Sequence, residues 1–127
     1  MISLLPPAWL IRVAVMAVWL YEGLWCKLLG REPRQLQVVE TAPWFAARSA
    51  GAFLKALGAV EVLVAAWALS GIAPLPCAIV QTVLLVGLNT SGVLWARHVI
   101  HDPGGMLVKN FAFLVLAWVS ASLPAGW

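Results

Sequence analysis

The sequence predicts an all-α membrane protein: a bundle of four transmembrane helices with a short interfacial helix between spans 1 and 2. Apolar residues make up 63% of the 127 residues and charged residues only 10%, against about 45–50% and 25% in soluble domains. The apolar residues come in solid runs, whereas a membrane β-barrel requires alternation. Four spans of about 20 residues leave no room for a second domain or a large catalytic module. We therefore expect one transmembrane domain over residues 1–127.

Proline, glycine and charged residues separate the four spans. Residues 62–96 form an uncharged stretch of 35 residues, which is too long for one span, and Gly71 and Pro74 mark a tight turn within it. Asp102 and Pro103 are typical of a helix start, as a cap followed by a proline in the first turn. The predicted spans are residues 8–25, 51–70, 74–96 and 106–123.

The longest connection, residues 27–48, joins the first two spans. Pro33 can open a short helix there, with Leu36 and Val39 on one side. One interpretation is an amphipathic helix that lies in the membrane interface. The other is a lid over an opening between the spans.

The basic residues predict the orientation in the membrane. One face carries Lys27, Arg31, Arg34, Arg48, Lys55, Arg97 and Lys109. The other face carries Arg12 alone. Because basic loops stay in the cytoplasm, we expect both termini to face away from it. These scattered charges do not form a nucleic-acid patch, so we expect no nucleic-acid partner.

The two cysteines are predicted to lie at opposite ends of the bundle. Cys26 ends the first span and Cys77 begins the third, so the membrane separates them by about 25–30 Å. A disulfide allows at most about 7 Å between Cα atoms. We expect no intrachain disulfide, and the sequence has no CxxC motif. In any redox reaction, a bound cofactor or a partner would have to carry the electrons.

A few polar side chains inside the spans share one depth, about 6–12 Å from the predicted cytoplasmic interface at 1.5 Å per residue. They are Glu22, Glu61, Asn89, Lys109 and Asn110. A charge that faces lipid costs at least about 2.5–3.5 kcal/mol, so such residues turn inward and pair. We expect Glu61 to pair with Lys109 and the asparagines to donate further hydrogen bonds. Glu22 competes for Lys109 or pairs with Lys27.

Two interpretations of this polar layer stay open. It can simply fix helix packing, or Glu61 and Lys109 can contact a quinone or another apolar molecule with polar head oxygens. Trp19 and Trp67 lie deeper and are candidate walls of such a pocket. No metal site is predicted, because the His98 and His101 pair has no evident third and fourth ligand.

The sequence also contains motifs that resemble a known family. The segment Trp-Leu-Tyr-Glu-Gly-Leu at residues 19–24, followed by Lys27, looks like the end of the first helix of DoxX-like membrane proteins. Glu61, the Asp102–Pro103 pair and the Lys109–Asn110 pair match the same family. Glu22 departs from the pattern, since many relatives have a histidine there. The resemblance carries roles over to Gly23, Lys27, Glu61, Asp102, Lys109 and Asn110.

The resemblance implies a multi-pass protein of the bacterial inner membrane, with periplasmic termini, in a redox-associated complex. The wider group is named for a subunit of a thiosulfate:quinone oxidoreductase. One hypothesis is a subunit that binds a quinone or lipid between its helices, without a covalent cofactor; the alternative is a non-catalytic structural or assembly protein. Both predict a cytoplasmic protein partner or self-association, and neither requires catalysis by this chain alone. The candidate ligand-binding residues are Glu22, Gly23, Lys27, Glu61, Asn89, Lys109, Asn110, Trp19 and Trp67.

Overall fold

The structure, a computed structural model, describes residues 6–31, 34–41, 47–100 and 102–123. Within these ranges the chain is helical and contains no strand, which confirms the predicted fold class. The elements are α1 (Ala8–Leu20), a π-helical segment (Tyr21–Leu28), α2 (Arg34–Glu40), α3 (Ala47–Ser70), α4 (Pro74–Trp95) and α5 (Pro103–Ser122).

Four of these helices are long and apolar enough to cross a membrane, as predicted. They are α1 with its π-helical segment, α3, α4 and α5. Helix α5 begins at Pro103, three residues before the predicted start of the fourth span at residue 106. The reason is the predicted cap: the Gly105 backbone N–H donates to Asp102 Oδ1 at 3.0 Å, which satisfies an N–H group that the first turn of a helix leaves unpaired.

The turn between α3 and α4 breaks the long uncharged stretch where the sequence predicts it. Gly71 and Ala73 both have left-handed backbone conformations, with φ of 70° and 47°. Trp67 Nε1 donates to the Ile72 carbonyl oxygen at 2.7 Å. The Ser70 hydroxyl accepts from the Ile72 N–H at 3.1 Å. These two bonds hold the turn against the end of α3.

The four long helices pack around a common axis. α1 lies against α3 and α5, α4 lies against α5, and the contact between α3 and α4 is smaller than any of these three. We call the end with the start of α1 and the α3–α4 turn the Arg12 end. The opposite end, with the close of the π-helical segment, α2 and the α4–α5 connection, is the Lys27 end.

The apolar core occupies the half of the bundle toward the Arg12 end. It consists of Val15, Trp19, Val64, Ala65, Ala68, Cys77 and Phe113. The Trp19 and Phe113 rings meet edge to face with centroids 5.7 Å apart, a favourable aromatic geometry. Both cysteines are buried, and neither forms a disulfide. Large apolar side chains such as Leu63, Val83 and Phe111 are exposed on the outside of the bundle, as expected for contact with lipid.

Candidate functional site

A cavity of about 390 Å³ lies between the helices at the Lys27 end. Its volume falls within the range of about 300–1,000 Å³ that is typical of small-molecule sites. Most of its walls are apolar and come from all four long helices and α2. Its polar side chains are Glu22, Lys27, Glu61, Asn89 and Asn110. The structure thus brings most of the predicted polar layer to one cavity.

A buried ion pair forms one wall of this cavity. Lys27 Nζ lies 3.0 Å from Glu61 Oε1 and donates to Glu61 Oε2 at 3.1 Å. Glu61 is 1% exposed and Lys27 7%. Lys27 Nζ also lies 3.7 Å from Glu22 Oε2, so of the two partners expected for Glu22 the structure has Lys27. Buried charges persist only when they are paired in this way.

The π-helical segment places Glu22 and Lys27 on the same side of the first span. In an α-helix, residues five apart point about 140° away from each other around the axis. In a π-helix the i→i+5 hydrogen bond stacks such residues, and the Leu29 N–H donates to the Leu24 carbonyl oxygen at 2.8 Å. Lys27 Nζ can therefore donate back to the Glu22 carbonyl oxygen, at 3.4 Å. The sequence pattern predicts a regular α-helix here and gives no sign of the π-helical segment.

Gly23 positions the ion pair and does not line the cavity. A Cβ on Gly23 would lie 2.7 Å from the Gly58 carbonyl oxygen. A Cβ on Gly58 would lie 2.8 Å from the Gly23 carbonyl oxygen. Only glycine at both positions allows the two backbones to approach this closely, and that approach brings Lys27 onto Glu61. Gly58 is not among the residues predicted from the sequence, although its position one helical turn before Glu61 is a signal that could have identified it.

The two asparagines bond to each other and not to Glu61. Asn110 Nδ2 donates to Asn89 Oδ1 at 2.8 Å. Asn89 Nδ2 donates to the Leu85 carbonyl oxygen at 2.7 Å. These bonds join α4 to α5 across the wall of the cavity. Both asparagines therefore donate hydrogen bonds as expected, but their acceptors lie on α4.

The predicted Glu61–Lys109 pair is wrong, because Glu61 pairs with Lys27. Lys109 is exposed, and it forms no ion pair with any residue that the structure describes. Helical side chains tilt toward the N-terminus of their helix. The first span ends at the Lys27 end, so Lys27 tilts back into the bundle, whereas Glu61 on the antiparallel α3 tilts down to meet it. Lys109 lies near the start of α5 and tilts away from the bundle centre.

The two candidate tryptophans lie in different places. Trp19 lines the cavity, and its Nε1 donates to Gln81 Oε1 at 2.8 Å inside the core. Trp67 lines a second, smaller cavity at the Arg12 end. Trp19 is therefore a wall of the main cavity as predicted, and Trp67 is not.

The predicted short helix is present as α2 and lies beside the main cavity. Val38 and Val39 of α2 line it, whereas Leu36, predicted to share the apolar side with Val39, is exposed. This arrangement favours the hypothesis that the short helix is a lid over an opening between the spans. His98 is exposed. His101 lies outside the described residues, so its position relative to His98 is not described. No group of three or more possible metal ligands occurs among the described residues.

Comparison with known proteins gives one match. A model of the DoxX-like family matches residues 16–118, a region that contains all nine candidate ligand-binding residues. No curated protein matches the chain, and no solved structure matches it.

Proposed function

The chain belongs to the DoxX-like family, and on that premise we propose that it is a membrane subunit of a redox-associated complex that binds a quinone. The observation that carries the proposal is the cavity of about 390 Å³ at the Lys27 end. Largely apolar walls with a few converging polar groups are typical of sites for small organic ligands. Val18 lines the cavity and is also exposed on the outside of the bundle, so an apolar tail could reach the lipid beside it.

The polar groups of the cavity fit the two carbonyl oxygens of a quinone ring. These oxygens accept hydrogen bonds, and the cavity presents donors on opposite sides. Lys27 Nζ belongs to the first span, whereas the Asn89 and Asn110 amides belong to α4 and α5. Each amide nitrogen has two N–H donors, and the bonds to Leu85 and Asn89 use one each. The second N–H of each asparagine can donate to a ligand.

The side chains of this chain would bind the ligand, exclude water and supply protons. A bound quinone would supply the two-electron, two-proton redox chemistry. Apolar side chains such as Leu57, Leu88 and Met106 line the same cavity and would keep water from the ring. Lys27 Nζ can donate one proton to a ring oxygen while the Glu61 carboxylate, whose Oε2 accepts from it, orients the ammonium group. The second proton, and the one that restores the Lys27 ammonium, would come from water. Because the sequence has only two cysteines and no CxxC motif, a protein partner would carry the electrons.

Binding of a radiolabelled short-tailed benzoquinone to the purified protein tests this proposal, with protein-free micelles as the blank. Leu88→Trp places a large ring in the cavity and should weaken binding at least ten-fold. Val86→Trp adds the same ring to the same helix at a side chain that is 52% exposed, so it should bind as the wild type does. Equal binding by all three proteins, or by none above the blank, would contradict the proposal.

A second candidate function is a purely structural role in an assembly. The observation that favours it is the satisfied polar layer: among the described residues, no buried side-chain nitrogen or oxygen atom lacks a hydrogen-bond partner. On this alternative, Leu88→Trp leaves the amount of partner that co-purifies from native membranes and the activity of the complex unchanged. On the quinone proposal, the complex assembles but loses its activity.

The proposal also includes the bacterial inner membrane as the location, with the Lys27 end in the cytoplasm. The excess of basic residues in the connections at that end supports this orientation. Native Cys26 is only 3% exposed and would react poorly with a thiol reagent. New exposed cysteines are therefore introduced one at a time into a Cys26→Ala, Cys77→Ala background. An impermeant maleimide added to intact cells should label Ile72→Cys and leave Arg31→Cys unlabelled. The reverse pattern would overturn the orientation.

A further inference from the structure

A second cavity of about 120 Å³ lies at the Arg12 end, between α1, the α3–α4 turn and α5. A water molecule occupies about 30 Å³ in the liquid, so the cavity could accommodate about four waters or one small ionic group. Gln81 lines this cavity, and its bonding partner Trp19 lines the larger one. The two cavities therefore lie on opposite sides of the Trp19–Gln81 hydrogen bond.

Among the described residues that line the smaller cavity, the Arg12 guanidinium is the one cationic group. It packs directly against Gly71, where an added Cβ would lie 2.9 Å from Arg12 Cζ. Arg12 is half-buried, so this contact holds its head group at the cavity. Among the residues that the structure describes, none forms a salt bridge with Arg12.

No described carboxylate is placed to neutralise Arg12. Four acidic residues are described: Glu22, Glu40, Glu61 and Asp102. All four lie toward the Lys27 end. Glu61 lies nine residues before the end of α3 at Ser70, which corresponds to about 14 Å along the helix. It is already paired with Lys27.

The other polar groups of the smaller cavity also favour an anion. Gln81 is 3% exposed, and its Oε1 already accepts from Trp19. Its Nε2 donates to Cys77 Sγ at 3.4 Å and has a second N–H. Ser120 lines the same cavity, and its hydroxyl is a further possible donor. The guanidinium of Arg12 adds five N–H donors. The smaller cavity therefore combines several hydrogen-bond donors with one positive charge, which suits an anion.

We infer that the smaller cavity binds a phosphate group, either that of an anionic lipid headgroup or inorganic phosphate. Arg12 supplies charge-assisted hydrogen bonds, which are stronger than neutral ones, and Gln81 and Ser120 complete the set of donors. Arg12 follows the start of α1 at Ala8 by four residues, about 6 Å along the helix, close to the headgroup layer. A bound phosphate would link α1 to the α3–α4 turn.

Thermal unfolding of delipidated protein in detergent tests this inference in two arms. One arm adds phosphatidylglycerol, with diacylglycerol as the lipid that lacks the phosphate; the other adds inorganic phosphate. We expect a saturable rise in the Tm of the wild type, with an apparent affinity at least ten-fold weaker in Arg12→Gln. Lys55→Gln removes one positive charge from an exposed site at the Lys27 end and should behave as the wild type.

The two arms identify the source of the phosphate. A response to phosphatidylglycerol alone indicates the lipid, and a response to inorganic phosphate as well indicates a free anion. Equal affinity in the wild type and in folded Arg12→Gln would overturn the inference. If Arg12→Gln does not fold, Ser120→Ala decides: an affinity about three-fold weaker supports the site, and an unchanged affinity overturns it.

Discussion

The two ends of the bundle bury polar side chains in different ways. At the Lys27 end the buried groups are charged, Lys27 and Glu61, and they border a cavity of about 390 Å³. At the Arg12 end the buried pair is neutral, Trp19 and Gln81, and the apolar core packs around it. A neutral hydrogen bond costs little to bury, whereas burial of a charge pair needs further compensation. The contrast indicates that packing alone does not explain the Lys27 end.

The backbone differs between the two ends as well. The first span is a regular α-helix through Leu20 and becomes π-helical from Tyr21 to Leu28. Single-turn π-bulges occur frequently at functional sites. Here the π-helical segment coincides with the close Gly23–Gly58 contact. The irregular backbone therefore lies where Lys27 must reach Glu61.

The largest expected effect is the loss of Glu61. Glu61→Ala leaves the Lys27 ammonium buried without its main counter-charge, and breaking a buried pair costs about 3–5 kcal/mol. Glu22→Ala is the matched control: the Glu22 side chain is 41% exposed and its Oε2 lies 3.7 Å from Lys27 Nζ, so the loss should stay below about 1 kcal/mol. The free energy of unfolding in mixed micelles measures both. Equal losses of unfolding free energy in the two variants would show that the buried Lys27–Glu61 pair does not stabilise the fold more than the exposed Glu22 contact does.

The next effect concerns the close backbone contact. Gly58→Ala introduces a Cβ 2.8 Å from the Gly23 carbonyl oxygen, and overpacking of this kind costs about 1–3 kcal/mol. Gly87→Ala is the control, since a Cβ there meets no atom within 4 Å. It should be neutral or stabilise the helix by up to about 1 kcal/mol. The same unfolding measurement applies, and a Gly58→Ala variant as stable as Gly87→Ala would contradict the contact.

The smallest effect is expected at the neutral pair. Gln81→Leu removes the acceptor of the Trp19 indole N–H, and interhelical hydrogen bonds in membranes contribute on average about 0.6 kcal/mol and at most about 1.7. Thr82→Val breaks the bond from Trp118 Nε1 at 2.8 Å, which is exposed, and should cost less. If Gln81→Leu costs as much as Glu61→Ala, the distinction between the two ends fails.

Much of the fold could be predicted from the sequence because it depends on local signals. The uncharged run across Gly71 and Pro74 predicts two spans and the turn between them. Asp102 predicts the start of α5 because capping requires only neighbouring backbone groups. The 1.5 Å rise per residue placed Glu61 and Asn89 at one level, and both line the same cavity.

The partners within the polar layer could not be predicted by depth alone. The choice between Lys27 and Lys109 depends on the direction in which each side chain tilts along its helix. The choice of Lys27 depends also on the π-helical segment. This segment places Lys27 on the same side of the first span as Glu22, where a regular α-helix would point the two side chains apart. The Gly23–Gly58 contact adds a third requirement, because it joins residues on two different helices. The periodicity of apolar residues in the sequence does not reveal these tertiary features.

Photoaffinity labelling most directly tests the central claim, that the Lys27-end cavity is a binding site for a quinone. A short-tailed azidobenzoquinone is cross-linked to the protein in native membranes, and the labelled residues are mapped by peptide mass spectrometry. The account predicts label on Leu57, Leu88 or Met106, which line the cavity, and loss of that label when unmodified quinone is in excess. Label confined to the exposed residues Phe111 and Val115, with no competition, would contradict it.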